Sequence, residues 1–125
     1  MPPQLRSFAV RLTEPSEAVA ASTNHDSVAT KILGSIAASA VWKGLDRTTG
    51  NETYDAKIQH SPDPFDIDDD DASWFDLITF TQVTVPNAQL STLTTPHFSR
   101  MRAVSTLGGT TPSGTLDVLV EGVPF

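Results

Sequence analysis

Residues 53–80, TYDAKIQHSPDPFDIDDDDASWFDLITF, decide how this chain is expected to fold. The first limb alternates, with Tyr54, Ala56, Ile58 and His60 on one face and Asp55, Lys57, Gln59 and Ser61 on the other. The second limb, from Trp74, is aromatic and apolar. Period-two alternation and aromatic enrichment are typical of half-buried strands. The prolines and aspartates between the limbs suit neither a helix nor a sheet interior. The stretch therefore predicts two strands joined by a charged loop, as a hairpin or as a crossing between two sheets.

The bulk composition narrows the class of protein. The chain has 125 residues, no cysteine, and 8 Lys and Arg against 15 Asp and Glu, for a net charge of −7. A chain of this length can bury a core without cross-links. The missing cysteines exclude disulfides and thiolate metal sites. The acidic charge predicts neither a nucleic-acid partner nor binding to an anionic membrane.

The sequence shows no recognisable targeting or membrane segment. Its first residues, MPPQLRSF, lack the apolar core of a signal peptide. The longest apolar run, residues 36–42, is interrupted by Ser39 and is too short to span a bilayer. We expect synthesis in the cytoplasm without a recognisable N-terminal export signal.

Further short alternating segments predict seven to eight strands in all. Besides the two limbs, they are residues 5–13, 28–33, 36–43, 89–94, 97–106 and 115–122, and residues 81–85 form only a weak further candidate. The Gly- and Pro-rich residues 107–114 predict a hairpin between the last two strands. Residues 14–21 (EPSEAVAA) suit a short helical turn or an irregular loop equally. Short, closely spaced strands are typical of sandwiches and barrels.

The predicted fold is therefore all-β. We expect one antiparallel β-sandwich domain over residues 5–125, of jelly-roll or Ig-like type, with at most one short helix. Residues 1–4, which contain two prolines, are expected to form a flexible N-terminal arm.

Residues 66–71 (DIDDDD) are the sharpest local feature, because clustered carboxylates can bind calcium. In the EF-hand pattern, Asp66, Asp68 and Asp70 would take the first ligand positions. The required glycine is Asp71 and the required glutamate is Leu77, so the pattern fails. A looser calcium site stays open. The favoured interpretation is a solvated charge run that is extended or mobile at low salt. Changing both Asp69 and Asp70 to Asn would then be neutral or slightly stabilising if no metal is bound.

No catalytic pattern is recognisable. His25, His60 and His97 lie far apart without metal-ligand spacing and are expected to be surface or hydrogen-bonding residues. The sequence has no Gly-x-Ser-x-Gly and no His-Glu-x-x-His. Gly108 and Gly109 open no helix and are not followed by a lysine, so they do not form a phosphate loop. We predict that the chain is not an enzyme and has no catalytic, cofactor-binding or metal-ligating residues and no cofactor.

Two pairs of side chains have alternative interpretations. Arg100 and Arg102 share one strand face, where they would either protect a sheet edge or meet carboxylates of the aspartate run or of a partner. Trp42 and Trp74 would either form a sugar-stacking platform or, as favoured, lie in the core. A core Trp74 would cost about 3–5 kcal/mol on replacement by alanine.

Two segments together resemble small structural proteins of tailed bacteriophages. They are residues 58–77, which contain QHSPD (59–63) and SWFDL (73–77), and residues 98–122 (FSRMRAVSTLGGTTPSGTLDVLVEG). The similar features are a strand ending in Ser-x-Asp, a Trp with a following Asp-Leu, an Arg-x-Arg strand, a Gly/Pro/Thr-rich loop and a last alternating strand. The family's short turn after Ser-x-Asp is expanded here to residues 64–72.

The resemblance implies a β-sandwich of the capsid decoration, or cement, type. Such a protein would lie on the capsid surface of the virion. Its partners would be the major capsid protein and further copies of itself, as dimers or trimers. A neck, tail or head-fibre role stays open within that class. Two alternatives outside it are a glycan- or receptor-binding sandwich, possibly assisted by calcium, and a sandwich domain of a larger assembly.

Overall fold

A computed structural model describes residues 9–29 and 34–123. The proposed N-terminal arm, residues 1–4, lies outside these ranges. The described residues form ten strands and no helix: β1 Ala9–Arg11, β2 Glu17–Val19, β3 Thr23–Asn24, β4 Val28–Ala29, β5 Ser35–Lys43, β6 Thr53–Ser61, β7 Phe75–Thr79, β8 Asn87–Leu93, β9 Arg100–Gly108 and β10 Gly114–Val123.

The strands form two antiparallel sheets of five strands each. The first sheet has the order β1-β10-β5-β8, with β2 pairing β10 beside β1. The second has the order β3-β9-β6-β7, with β4 pairing β9 beside β3. This arrangement confirms the predicted all-β antiparallel sandwich.

The core lies between the inner faces of the long strands. Its main side chains are Ile36, Ala38, Ala40 and Trp42 of β5, Tyr54, Ala56 and Ile58 of β6, Met101 and Ala103 of β9, and Leu116, Val118 and Val120 of β10. The rings of Trp42 and Tyr54 lie 5.4 Å apart and close one end of this core. The period-two alternation of the sequence is therefore the pattern that buries each strand's apolar face.

Residues 53–80 form a hairpin, one of the two predicted arrangements. In β6 the residues alternate in burial up to Ile58, and β6 pairs antiparallel with β7. A bulge interrupts the pairing between Ile58 and Gln59. The other edge of β6 pairs with β9, so β6 is an interior strand of its sheet.

The predicted hairpin between the last two strands is wrong. The two strands exist as β9 and β10, but β9 pairs with β6 and β10 pairs with β5, in opposite sheets. The connecting loop crosses the end of the sandwich. A Gly/Pro-rich loop marks a change of direction but does not determine which strand becomes the neighbour, since inter-sheet packing decides that.

The possible helical turn over residues 14–21 is replaced by a turn and a strand. The backbone amide of Ser16, whose φ is +47°, donates to the Asp117 carboxylate at 2.7 Å, and Arg11 pairs with the same carboxylate at 2.8 Å. These contacts hold the chain against β10. Glu17–Val19 then pairs with β10 instead of starting a helix.

Several weaker strand predictions differ in their bounds. Only Ala9–Arg11 and Val28–Ala29 form strands within the first two predicted segments, whose residues 5–8 and 30–33 lie outside the described ranges. Residues 81–85 contribute one bridge, between Val83 and Tyr54. The predicted strand 89–94 begins earlier, as β8 Asn87–Leu93.

Candidate functional site

The acidic loop, residues 62–74 between β6 and β7, folds back onto the outer face of its own sheet. Its contact point is Arg100, which is 3% exposed. Arg100 donates to the backbone carbonyls of Pro64 at 2.7 Å and Ile67 at 2.6 Å, and to the Asp69 carboxylate at 2.7 Å. Its Nε also donates to the Ser27 hydroxyl at 3.3 Å. The arginine therefore fixes the loop by several donors at once.

Asp69 is the carboxylate of the loop that takes part in this contact. The Ser27 amide donates to it at 2.9 Å, and the Ser27 hydroxyl donates to its other oxygen. Burial opposes ionisation of Asp69, but the hydrogen bonds from Ser27 and Arg100 outweigh it and hold its pKa below the ordinary value. Asp69 is therefore a structural ion-pair partner.

The prediction that the whole run is solvated needs correction at this one residue. Asp66, Asp68, Asp70 and Asp71 are exposed, as predicted. Asp69 is only partly exposed and pairs with a buried arginine, so the loop is tied down rather than extended. The alternative that Arg100 meets the aspartate run is confirmed, and edge protection is wrong because β9 lies between two neighbours.

Trp74 covers the second arginine of β9. The guanidinium carbon of Arg102 lies 4.3 Å from the Trp74 ring centroid, and that of Arg100 lies 5.5 Å from it. Arg102 also donates to the Gln59 side chain at 2.9 Å. Burial lowers the pKa of Arg102, while the charges of Asp69 and Asp70 act in the opposite direction. Cations over an indole ring are stabilised by its electron-rich face.

The core assignment is right for one tryptophan and wrong for the other. Trp42 is 1% exposed, whereas Trp74 is partly exposed and lies on the outer face of the sheet. Its indole N–H donates to the Asp69 carbonyl at 2.9 Å, which fixes the ring over the arginines. The alternation of the sequence could not show whether Trp74 faces the core or the outer side of the sheet. The acidic loop covers the outer side here, so an apolar side chain is accommodated on either face.

Three exposed phenylalanines surround the same end of the sandwich, and we call this surface the phenylalanine end. Phe65 and Phe75 are each 54% exposed and Phe98 is 45% exposed. Phe75 pairs with His60 across the hairpin, and the ring of Phe98 lies 5.0 Å from that of His60. Phe65 lies 5.5 Å from the guanidinium carbon of Arg100. Clustered exposed aromatic side chains are typical of protein-binding surfaces.

The histidines lie in two different settings. His60 accepts a hydrogen bond from the Phe98 amide at 3.1 Å, and burial together with the nearby His97 charge lowers its pKa. His25 is buried, lies 3.0 Å from the Ser105 hydroxyl and pairs with Glu17. Glu17 belongs to the first sheet and Ser105 to the second, so His25 links the two sheets as a hydrogen-bonding residue.

The opposite end of the sandwich is held by a buried carboxylate. Glu52 accepts hydrogen bonds from the Thr49 hydroxyl at 2.7 Å, the Thr49 amide at 3.0 Å and the Asn51 amide at 2.9 Å. The hydrogen bond from the Thr49 hydroxyl has the largest effect on the pKa of Glu52. Together the donors outweigh the opposing effect of burial and lower this pKa to about 2. No sequence pattern pointed to this residue, since an isolated Glu in a polar turn usually lies in solvent.

Within residues 9–29 and 34–123, no group of three or more His, Asp or Glu side chains is arranged to hold a metal ion. The same part of the chain has no helix that could cross a membrane.

No family model matches the sequence, and no curated protein matches it. Among solved structures, the chain is similar to one described as the structure of infectious bursal disease virus, Gx strain, with a TM-score of 0.47 and 11% sequence identity. The match covers 94% of this chain and 33% of the viral one, so this chain spans about a third of that chain's length.

Proposed function

We propose that this chain is a virion structural protein and, more narrowly, a decoration protein that binds the outside of a bacteriophage head. The sequence resemblance to small phage structural proteins suggests this class. The phenylalanine end is the observation that supports a binding role, because it exposes three aromatic side chains beside a loop that Arg100 holds in place. A preorganised aromatic surface loses little conformational entropy on binding a partner.

The proposed partner is the major capsid protein. A capsid repeats one binding site many times, so a small surface of this kind can be sufficient for stable coating. The exposed carboxylates of the acidic loop border the phenylalanines and would add charge selectivity at the rim of the contact. The stabilising effect expected of a cement protein is a higher temperature of capsid disruption.

The glycan-binding alternative receives less support. A sugar platform needs an open aromatic face, but Trp42 is buried and the two arginines of β9 lie over Trp74. We therefore retain the phenylalanine end, and not the tryptophans, as the proposed binding surface.

The proposal is tested by adding purified protein to capsids that lack it and measuring co-sedimentation. The double variant Phe75→Ser/Phe98→Ser removes two exposed rings, and Val85→Ser is the matched control. Val85 is 58% exposed and lies at the opposite end of the sandwich, near the Val83–Tyr54 bridge. We expect binding by the wild type and the control and at least a tenfold weaker association of the double variant. Equal binding of all three proteins would contradict the proposed surface.

A further inference from the structure

The outer edge of β8 is the least protected strand edge in the described part of the chain. β8 pairs with β5 through seven residue pairs on one side, from Leu93 with Ile36 to Asn87 with Trp42. No described residue pairs with its other side. A free edge presents unpaired N–H and C=O groups that can pair with another strand.

The other edges of the two sheets carry recognisable protection. The edge at β1 and β2 is divided into two strands of three residues by a turn that contains Pro15. The edge at β3 and β4 is likewise divided into strands of two residues. The edge strand β7 adjoins a bulge and carries Asp76 in its five residues. Short strands, bulges and charges all disfavour edge-to-edge pairing.

β8 has none of these features. Its sequence, NAQLSTL, contains no charge and no proline, and its pairing with β5 is regular. Ala88, Leu90 and Thr92 are exposed on the outer face, and Leu90, at the centre of the strand, is 75% exposed. A long, regular, uncharged edge with a central exposed leucine favours strand addition.

A second copy of the chain suits this edge because β8 carries no charge and pairs regularly, so the same edge can meet itself. The net charge of −7 makes other surfaces of two copies repel each other, and that repulsion is weakest where both surfaces are uncharged. Across the outer face of the sheet, Leu90 is aligned with Ser39 and then with Leu119, which extends the uncharged surface inward from the edge. An antiparallel strand pair is also compatible with a twofold axis, in which each copy offers the same surface.

We propose that β8 pairs antiparallel with β8 of a second copy, with the contact centred near Leu90, so that the first sheets of two copies become one continuous sheet. One strand pair gives a small interface, and the resulting dimer is weak in dilute solution. Crowding of copies on a surface would raise its occupancy. The inference uses the edge of the first sheet and does not depend on the phenylalanine end.

The test is sedimentation equilibrium of the full chain over a range of concentrations. Leu90→Lys places a charge at the centre of the edge, and Val85→Lys introduces the same charge at an exposed aliphatic position outside β8. We expect reversible dimers for the wild type and for Val85→Lys, and at least a tenfold larger dissociation constant for Leu90→Lys. Circular dichroism checks that each variant remains folded.

Two results would overturn the proposal. One is a wild-type chain that is still monomeric at about 1 mM. Its dissociation constant would then exceed about 1 mM, so the free energy of pairing would be weaker than about 4 kcal/mol. The other is a Leu90→Lys variant that dimerises as tightly as the wild type, because the association would then use another surface. Since neither result involves capsids, failure here leaves the capsid-binding proposal to its own test.

Discussion

Arg100 and Asp69 form an ion pair of 2.7 Å between the middle of a sheet and the loop that covers it, with side-chain exposures of 3% and 29%. The pair connects residues that lie 31 positions apart in the sequence. It converts a run of mutually repelling carboxylates into a fixed loop beside the exposed phenylalanines. The proposed binding surface therefore depends on one buried cation.

Replacing Asp69 is expected to destabilise the fold. Asp69→Asn removes the negative charge that compensates the buried Arg100, although two carbonyl acceptors remain. We expect a loss of about 1–3 kcal/mol in the free energy of unfolding by urea. Asp70→Asn is the matched control, because Asp70 is exposed and undergoes the same charge change. It should change stability by less than about 0.5 kcal/mol. Equal effects of the two changes would show that the ion pair is not a specific contributor.

The two tryptophans should differ in their contributions to stability. Trp42→Ala opens a cavity in the core and is expected to cost about 3–5 kcal/mol. Trp74→Ala removes a partly exposed ring, one hydrogen bond and the contacts with two arginines, for which we expect about 1–3 kcal/mol. Urea denaturation measures both values. A larger loss at Trp74 than at Trp42 would contradict the outer position of Trp74.

Stability is expected to fall at low pH partly because of Glu52. The folded-state pKa of Glu52 is lowered from 4.5 to about 2. A depressed pKa means that the unfolded state binds more protons in this interval, so stability rises with pH there and is lost as pH falls from about 4.5 towards 2. In Glu52→Gln this contribution disappears. Urea titrations across the interval should therefore show a shallower pH dependence for the variant than for the wild type, and parallel curves would refute the assignment.

Gly109 is expected to tolerate no side chain. Its φ is +96°, and a Cβ there would lie 2.7 Å from the Asn51 carbonyl oxygen and 2.7 Å from the Glu52 Cα. Gly44 is a suitable control, with φ +60° and no atom within 4 Å of the same position. Gly44→Ala should cost about 1–2 kcal/mol from backbone strain alone. Gly109→Ala should cost clearly more, measured by thermal unfolding, and equal losses would argue against the close approach of the two loops.

The sequence predicts where the strands lie better than it predicts which strands pair with each other. Alternation identified β5, β6, β9 and β10, because each buries one apolar face in the core. It could not assign β9 and β10 to different sheets, since that depends on packing between residues far apart in the sequence. The same limit explains the strand at Glu17–Val19, which pairs with residues 114–116 of β10 next to the contact between Ser16 and Asp117.

The candidate site was partly predictable. The two arginines on one strand face left a contact with the aspartate run as one of several alternatives, and the structure contains that contact. The sequence could not show that Asp69 alone among the aspartates makes it, because neighbouring aspartates have the same local pattern. Nor could it place Trp74 over Arg102, since the path of the loop across the sheet determines which face the ring covers.

If the chain is the decoration protein of a phage head that we propose, each particle carries many copies of it. Quantitative mass spectrometry of purified phage particles, scaled to the major capsid protein, measures that copy number. We predict a copy number comparable to that of the capsid subunit. A few copies per particle would instead indicate a neck or tail component, and complete absence from the particles would contradict the virion role.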